Sequence, residues 1–316
     1  MPDYTNLKGF NQVGESLLTE QLTGGLVAFF QWALLGKGNF FNVTIPTSGV
    51  YGGNQHQLRS VDDPNYTDYK VWQGFRKNWV WETGVEYSSQ PIDISGINVN
   101  GVFYPISNTG TYAFNVDYPN GRVVFTNALA ATDTVTLEYS YKWFHFDVSE
   151  KPWFREIMYG SFRVDNDQFQ QFGSGIWAVL NQNRVQLPVS LVEVVPQRVM
   201  KPRQLGGGQH VIQDVVFHIF AETSWERNQL VDWITFQKEK KIFLYDLNTA
   251  PYPLNSDGSR YSGVVMYPDL VKPNENGGYR YREMYFQETR SDDILGSYPL
   301  YTATVRATAN VEMYDI

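Results

Sequence analysis

The chain is expected to fold as an α+β protein, mostly β. It should comprise a small antiparallel β-sandwich, an α/β domain with one main amphipathic helix on a sheet, and an N-terminal helix. Three observations predict this. The segment Thr223 to Asn248 reads as a helix braced by strands: β-branched and aromatic residues fill Asp214 to Ala221, and Thr223 with Glu226 makes a capping-box pair. Leu230, Val231, Trp233 and Ile234 then recur at helical spacing, and Ile242 to Tyr245 follows as a strand. Second, Val135, Leu137, Tyr139, Tyr141 and Trp143 alternate with polar residues, the period of a strand with one buried face. Third, Tyr301, Ala303, Val305, Ala307 and Ala309 alternate in the same way in a final strand from Leu300 to Tyr314. Its length exceeds the usual five or six residues, so it should pair along much of its length or lie at a subunit boundary.

Taken in order, Glu15 to Leu35 places Leu18, Leu22, Leu26, Phe29, Phe30 and Ala33 on one broad helical face, and Gly36 with Gly38 supplies a stop. Asn39 to Asn78 is rich in Gly, Pro, Asn, Asp and Tyr and reads as long loop. Residues 1–78 therefore read as a helix with long docking loops. From Trp79 the chain turns to β: Asn100-Gly101 is a hairpin signal inside Ile97 to Tyr104, and Asp117 to Gly121 marks a second turn before Arg122 to Phe125. These strands, within 79–150, are expected to make the sandwich, with Ser149 to Pro152 as the linker that ends it. The rest, 151–316, is expected to be the α/β domain. Trp153 to Val164 opens it, and an Asn/Gln-rich piece follows from Asp165 to Gln171. A strand from Val185 to Val195 is interrupted by Pro188, and Pro188 with Pro196 suggests an edge position or a strand boundary. Gly206 to Gly208 should be a turn, the main helix should run from about Trp225 to Lys238, and Pro251 to Gly278 reads as another long loop.

Composition bounds the chemistry. A chain of 316 residues can bury a large core. The 16% aromatic content suits extended, half-polar surfaces that pack on partners. With no cysteine, disulfides, thiolate catalysis and Cys-ligated metal are excluded. A net charge of −8 argues against binding along a nucleic-acid backbone, and the basic clusters, Arg198 to Arg203 and Lys238 to Lys241, are short. Met1 to Asn11 lacks the pattern of a signal peptide, and Leu22 to Leu35 falls short of the roughly 20 apolar residues a membrane span needs.

Reactive motifs are sparse. Gly206 to Gly208 lacks the Lys-Ser/Thr of a phosphate loop. His210 and His218 sit eight residues apart, roughly 26 Å in extended chain, too far to share a metal. His56 and His145 have no ligand pattern nearby, and Asp62-Asp63 and Asp292-Asp293 read as turn acids before cation ligands. Trp72, Trp79 and Trp81 beside Glu82 and Glu86 either line a sugar-binding cleft or form an aromatic core, the second being preferred. No catalytic residue, cofactor site or metal site is assigned.

Against this background the chain resembles structural proteins of tailed-bacteriophage virions, in particular those of the neck or tail. Asp117-Tyr-Pro-Asn-Gly-Arg-Val-Val-Phe125 followed by Asp133-Thr-Val-Thr-Leu-Glu-Tyr139 looks like the sandwich modules of tail and neck components. Val216-Phe-His-Ile-Phe-Ala-Glu-Thr223 followed by Glu226-Arg-Asn-Gln-Leu230 is similar to the strand-then-helix part of tail-completion and tail-terminator proteins. The N-terminal helix with Leu34-Leu-Gly-Lys-Gly-Asn39 looks like a docking element. The resemblance implies a non-enzymatic virion subunit, assembled in the bacterial cytoplasm, in an oligomeric ring, usually sixfold, that contacts other neck and tail proteins but neither membrane nor specific nucleic-acid sequence. Leu22, Leu26, Phe29, Phe30, Arg227 and Asp232 are the expected interface residues. A tail-fibre or baseplate component and a carbohydrate-active enzyme are the alternatives. The loops Phe41 to Asn65 and Tyr252 to Gly278 are expected to order against neighbours.

Overall fold

The computed structural model describes residues 12–46, 54–151, 154, 186–204, 207–248, 252–261, 266–275, 279, 281–294 and 300–313. The expectations for Trp153 to Val164 and for Asp165 to Gln171 lie almost entirely outside the described residues, as do parts of the loops expected to order against neighbours.

Helix α1 (Leu18–Leu35) forms where the apolar period placed it. Leu17 N–H donates to the Glu20 carboxylate at 3.0 Å, and Gly38, at φ 84°, turns the chain away after the last turn. Three short strands follow: β1 (Phe40–Val43), β2 (Gln57–Ser60) and β3 (Val71–Gln73). The reading of Asn39 to Asn78 as loop alone is corrected here. Strands of three or four residues carry too little period to stand out among turn residues, and each is stabilised by a distant partner in sequence.

The strands β4 (Gly96–Val99) and β5 (Val102–Pro105) form a hairpin about Asn100 and Gly101, both at positive φ as a type I′ turn requires. A second hairpin joins β6 (Phe114–Asp117) to β7 (Arg122–Phe125). The expected single strand at 135–143 is two, β8 (Val135–Thr136) and β9 (Tyr139–Lys142). The chain changes partners between them: β8 pairs with β2 and β4, whereas β9 pairs with β1. Alternation survives because Val135, Leu137 and Tyr139 still point into one core.

The result is a seven-stranded antiparallel sheet in the order β5-β4-β8-β2-β3-β7-β6. It curls about a single cluster, since Ile97, Val99 and Val135 from one end and Trp72, Val123 and Phe125 from the other bury together. Trp79, fully buried, lies in this cluster with its ring centre 4.5 Å from that of Tyr139, the two rings tilted.

The second layer is a six-stranded sheet in the order β10-β11-β12-β15-β14-β13, built from β10 (His145–Val148), β11 (Val189–Gln204), β12 (Gly207–Ala221), β13 (Lys241–Phe243), β14 (Tyr281–Ile294) and β15 (Tyr301–Met313). All pairs are antiparallel except β10 with β11. The final strand is central, paired with β12 along its whole length and with β14 for most of it, which accounts for its length. Helix α2 (Ser224–Thr235) starts one residue before and ends three residues before the expected bounds. It ends before the basic run, where Glu239, at φ 64°, reverses the chain and donates its N–H to Phe286 O. The loop expected from Pro251 to Gly278 contains helix α3 (Tyr267–Glu275), which its Pro and Asn residues concealed.

Helices α1 and α2 lie on one face of the six-stranded sheet. Leu22, Leu26 and Phe30 of α1 and Leu230 and Ile234 of α2 share a core with Val215, Phe217, Ile219, Val305 and Ala307. Strands β12 and β13 flank α2 in sequence but lie far apart in the sheet, with β15 and β14 inserted between them. Close approach of α1 is needed at Gly25, where an added Cβ would sit 2.7 Å from Leu244 Cδ2. The fold is therefore α+β and mostly β, as the sequence predicts.

Candidate functional site

The polar side chains with the greatest chemical potential lie between the two layers. Strand β9 carries Lys142 into this seam, the segment after Trp79 brings Glu82, and α1 adds Gln31. The Lys142 ammonium donates to Glu82 Oε1 at 2.5 Å and to Gln31 Oε1 at 2.8 Å, and lies 5.2 Å from the centre of the Trp81 ring. Only 3% of either charged side chain is exposed. Burial pulls the Lys142 pKa below the usual lysine value, with the Glu82 carboxylate acting in the opposite direction. Asn39 ties the same seam, donating Nδ2–H to Phe144 O and accepting Phe144 N–H, each at 2.8 Å. Gln31 donates to Phe146 O at 2.6 Å.

Beside Glu82 a pocket of ≈ 160 Å³ is bounded by Val80, Gly84, Gln90, Pro91 and Asp93. Its two acids are both engaged, Glu82 by Lys142 and Asp93 by Arg260 at 2.6 Å. The arrangement fixes the two layers together. The indoles of Trp72, Trp79 and Trp81 are buried in the curled sheet's core, so the core reading holds for them and they line no sugar cleft.

The other sequence candidates are structural. Asp63 accepts from Arg122 Nη1 at 2.8 Å, and Arg122 Nε donates to Asp117 at 2.7 Å, which pins the loop after β2 to the β6–β7 turn. Desolvation pulls the Asp63 pKa up, but the Asn65 backbone N–H and the Arg122 guanidinium outweigh it and hold the carboxyl below its ordinary value. His145 is buried, with neither ring nitrogen partnered among the described residues; burial first, then Arg76 and Lys142, push its pKa down to about 3. His218, on the sheet face away from α1 and α2, lies 2.6 Å from Glu193 and against the Phe154 ring. Among the described residues no group of three or more His, Asp or Glu is placed to hold a metal. No helix among them is long and apolar enough to cross a membrane.

The expected interface residues separate into two classes. Leu22, Leu26 and Phe30 are buried in the chain's own core, and Phe29, partly buried, packs against Tyr267. The docking role of this apolar helix face is corrected, because the face is consumed by the sheet beneath it. Arg227 and Asp232 lie on the outer side of α2. Arg227 is half-buried, hydrogen-bonds Asn228 and sits 6.0 Å from the centre of the Tyr301 ring, whereas Asp232 is exposed. Glu226, expected on the solvent side, is buried: it closes the capping box with Thr223 and accepts from Trp143 Nε1 at 3.2 Å.

Two surfaces escaped the sequence reading. One is an aromatic row across both layers: Phe41 lies 5.6 Å from Tyr141 and 5.4 Å from Trp143, and Trp143 stacks on Trp225 at 5.5 Å. Phe41 and Trp225 are exposed. The other is the rim of the six-stranded sheet, where β11 runs well beyond β10 and β14 well beyond β13. Neither was legible, because the first gathers residues about a hundred positions apart and the second depends on strand order. Comparison of the chain with protein-family models, with curated proteins and with solved structures returned no match.

Proposed function

We propose that the chain is a non-enzymatic structural subunit of a tailed-phage virion that assembles into an oligomeric ring at the head–tail neck or the tail end. The observation that carries this reading is the sheet of long strands. Four of its strands run for 13 to 16 residues, and among the described residues helices α1 and α2 cover one face while Phe154 packs on part of the other. On the other, Asp214, Arg290, Asp292 and Arg306 are exposed. A monomer gains little from extending strands so far past the helices that cover them; an assembly gains rigid surface on which neighbours register. The sequence phrases that resemble neck and tail proteins form a hairpin in one layer and the β12–α2 passage in the other, so the likeness touches both layers. The acids beside the pocket are tied up in ion pairs, which favours architecture over turnover.

Negative-stain imaging of the purified full chain tests the reading. Closed rings, usually sixfold in this class of protein, are expected. A uniformly monomeric protein that retains a glycan column would instead mark a host-contact component, and sugar hydrolysis a carbohydrate-active enzyme; either result overturns the ring.

A further inference from the structure

We infer that the ring contact is sheet continuation, in which the segment Gln197 to Lys201 of β11 in one copy pairs with the Gln287 to Asp293 segment of β14 in the next. The inference rests on the ring reading above and identifies the strands that make it.

Among the described residues both segments are open edges. Strand β10 pairs with β11 only from Val189 to Val192, and β13 pairs with β14 only from Glu283 to Tyr285. Among the described residues no strand lies outside Gln197 to Lys201 or outside Gln287 to Asp293. Each edge therefore presents backbone N–H and C=O groups able to template another strand. Gln197 to Lys201 is exposed throughout, including the apolar Val199 at 50% and Met200 at 48%. Pro196 and Pro202 bracket it, so pairing is confined to five residues, an ordinary strand length.

Direction and charge select the partner. Strand β11 is antiparallel to β12, β12 to β15, and β15 to β14, so β11 and β14 run oppositely within one copy. A second copy turned about an axis along the strands keeps those directions. Its β11 then meets the first copy's β14 antiparallel, with both helix-covered faces on the same side. The β11 edge is basic, with Arg198 and Lys201; the β14 segment carries Glu288, Asp292 and Asp293 against Arg290 alone. Positive charge on an edge strand discourages indiscriminate pairing but favours an acidic partner. Two β11 edges would repel each other, as would two β14 edges, so the contact is head-to-tail, the type that closes rings.

The two edges are staggered. Val199 is level with Ile212 and Asn310, whereas Arg290 is level with Arg306, four residues before Asn310 on β15. At roughly 3.4 Å per residue, successive copies step by about 14 Å along the strands. Closure then requires strands tilted to the ring axis, as in any sheared barrel.

Native mass spectrometry and sedimentation of the full chain test this with charge swaps. Arg198→Glu with Lys201→Glu in one variant, and Asp292→Lys with Asp293→Lys in another, should each weaken self-association at least tenfold, about 1.4 kcal/mol. Circular dichroism and melting temperature should stay at wild-type values. Mixing the two variants should restore association, because each reversed edge then meets a reversed partner. Wild-type assembly that neither variant weakens would overturn the strand contact while leaving the ring intact. A wild-type chain that stays monomeric at its highest soluble concentration would overturn both. Equal loss in the variants without recovery on mixing would overturn the pairing of these two edges.

Discussion

Replacing Glu82 by Gln should destabilise the protein far more than replacing Glu82 and Lys142 together. The pair is nearly inaccessible, with 3% of each side chain exposed and the charges 2.5 Å apart. At an effective dielectric constant of about 20, their attraction is about 7 kcal/mol. Removing two charges from water costs several kcal/mol each, so the intact pair comes out near neutral. Glu82→Gln leaves a buried ammonium without its carboxylate, held by Gln31 and the Trp81 ring. That should cost about 3 to 5 kcal/mol. At about 2 to 4 °C per kcal/mol, the melting temperature would fall by roughly 6 to 20 °C. Lys142→Met alone should cost a similar amount by stranding the carboxylate. The double variant should lie within about 1 kcal/mol of wild type, because no uncompensated charge remains. Urea denaturation followed by tryptophan fluorescence reads all four proteins. If the two single costs simply add in the double variant, the side chains are not coupled and the seam is held by packing alone.

The remaining expectations use the same measurements. Ile234→Ala, fully buried beneath α2, should cost about 2 to 5 kcal/mol, whereas Arg227→Glu should leave the monomer's stability within about 0.5 kcal/mol; the reverse ranking would mean the helix faces the other way. Leu26→Asp should prevent stable folding by burying a lone charge among Leu, Val and Phe side chains, and a soluble variant that melts like wild type would refute that packing. His145 has its folded pKa depressed from 6.5 to about 3, so the unfolded chain binds the extra proton between those values and stability falls as pH drops through that window; His145→Leu should flatten this dependence in urea titrations run at several pH values. Gly121→Ala should destabilise by more than about 1 kcal/mol, because φ is 61° and the added Cβ would lie 2.3 Å from the Arg76 carbonyl oxygen and 2.7 Å from Lys77 Cα; an unchanged melting curve would contradict the close approach.

Sequence alone determined the features whose physics is local. The capping box at Thr223 and Glu226, the Asn100-Gly101 turn, the apolar stripe of α1 and the alternation of the last strand each depend on neighbours a few residues away, and each formed as its pattern required. Tertiary structure decided everything that depends on distant partners. The short strands β1, β2 and β3 exist only because β9, β8 and β7 supply their hydrogen bonds. β14 went unread because its charged sequence gives weak alternation, yet between β13 and β15 it has a ladder to join. The apolar face of α1 looked equally fit for a neighbour or for a core; the sheet beneath it settled the matter by burying Leu22, Leu26 and Phe30. Glu82 and Lys142 lie sixty residues apart and declare no relation in sequence, yet folding leaves them 2.5 Å apart in a dry seam. Periodicity reports which face of an element avoids water, and only the packed chain reports what that face meets.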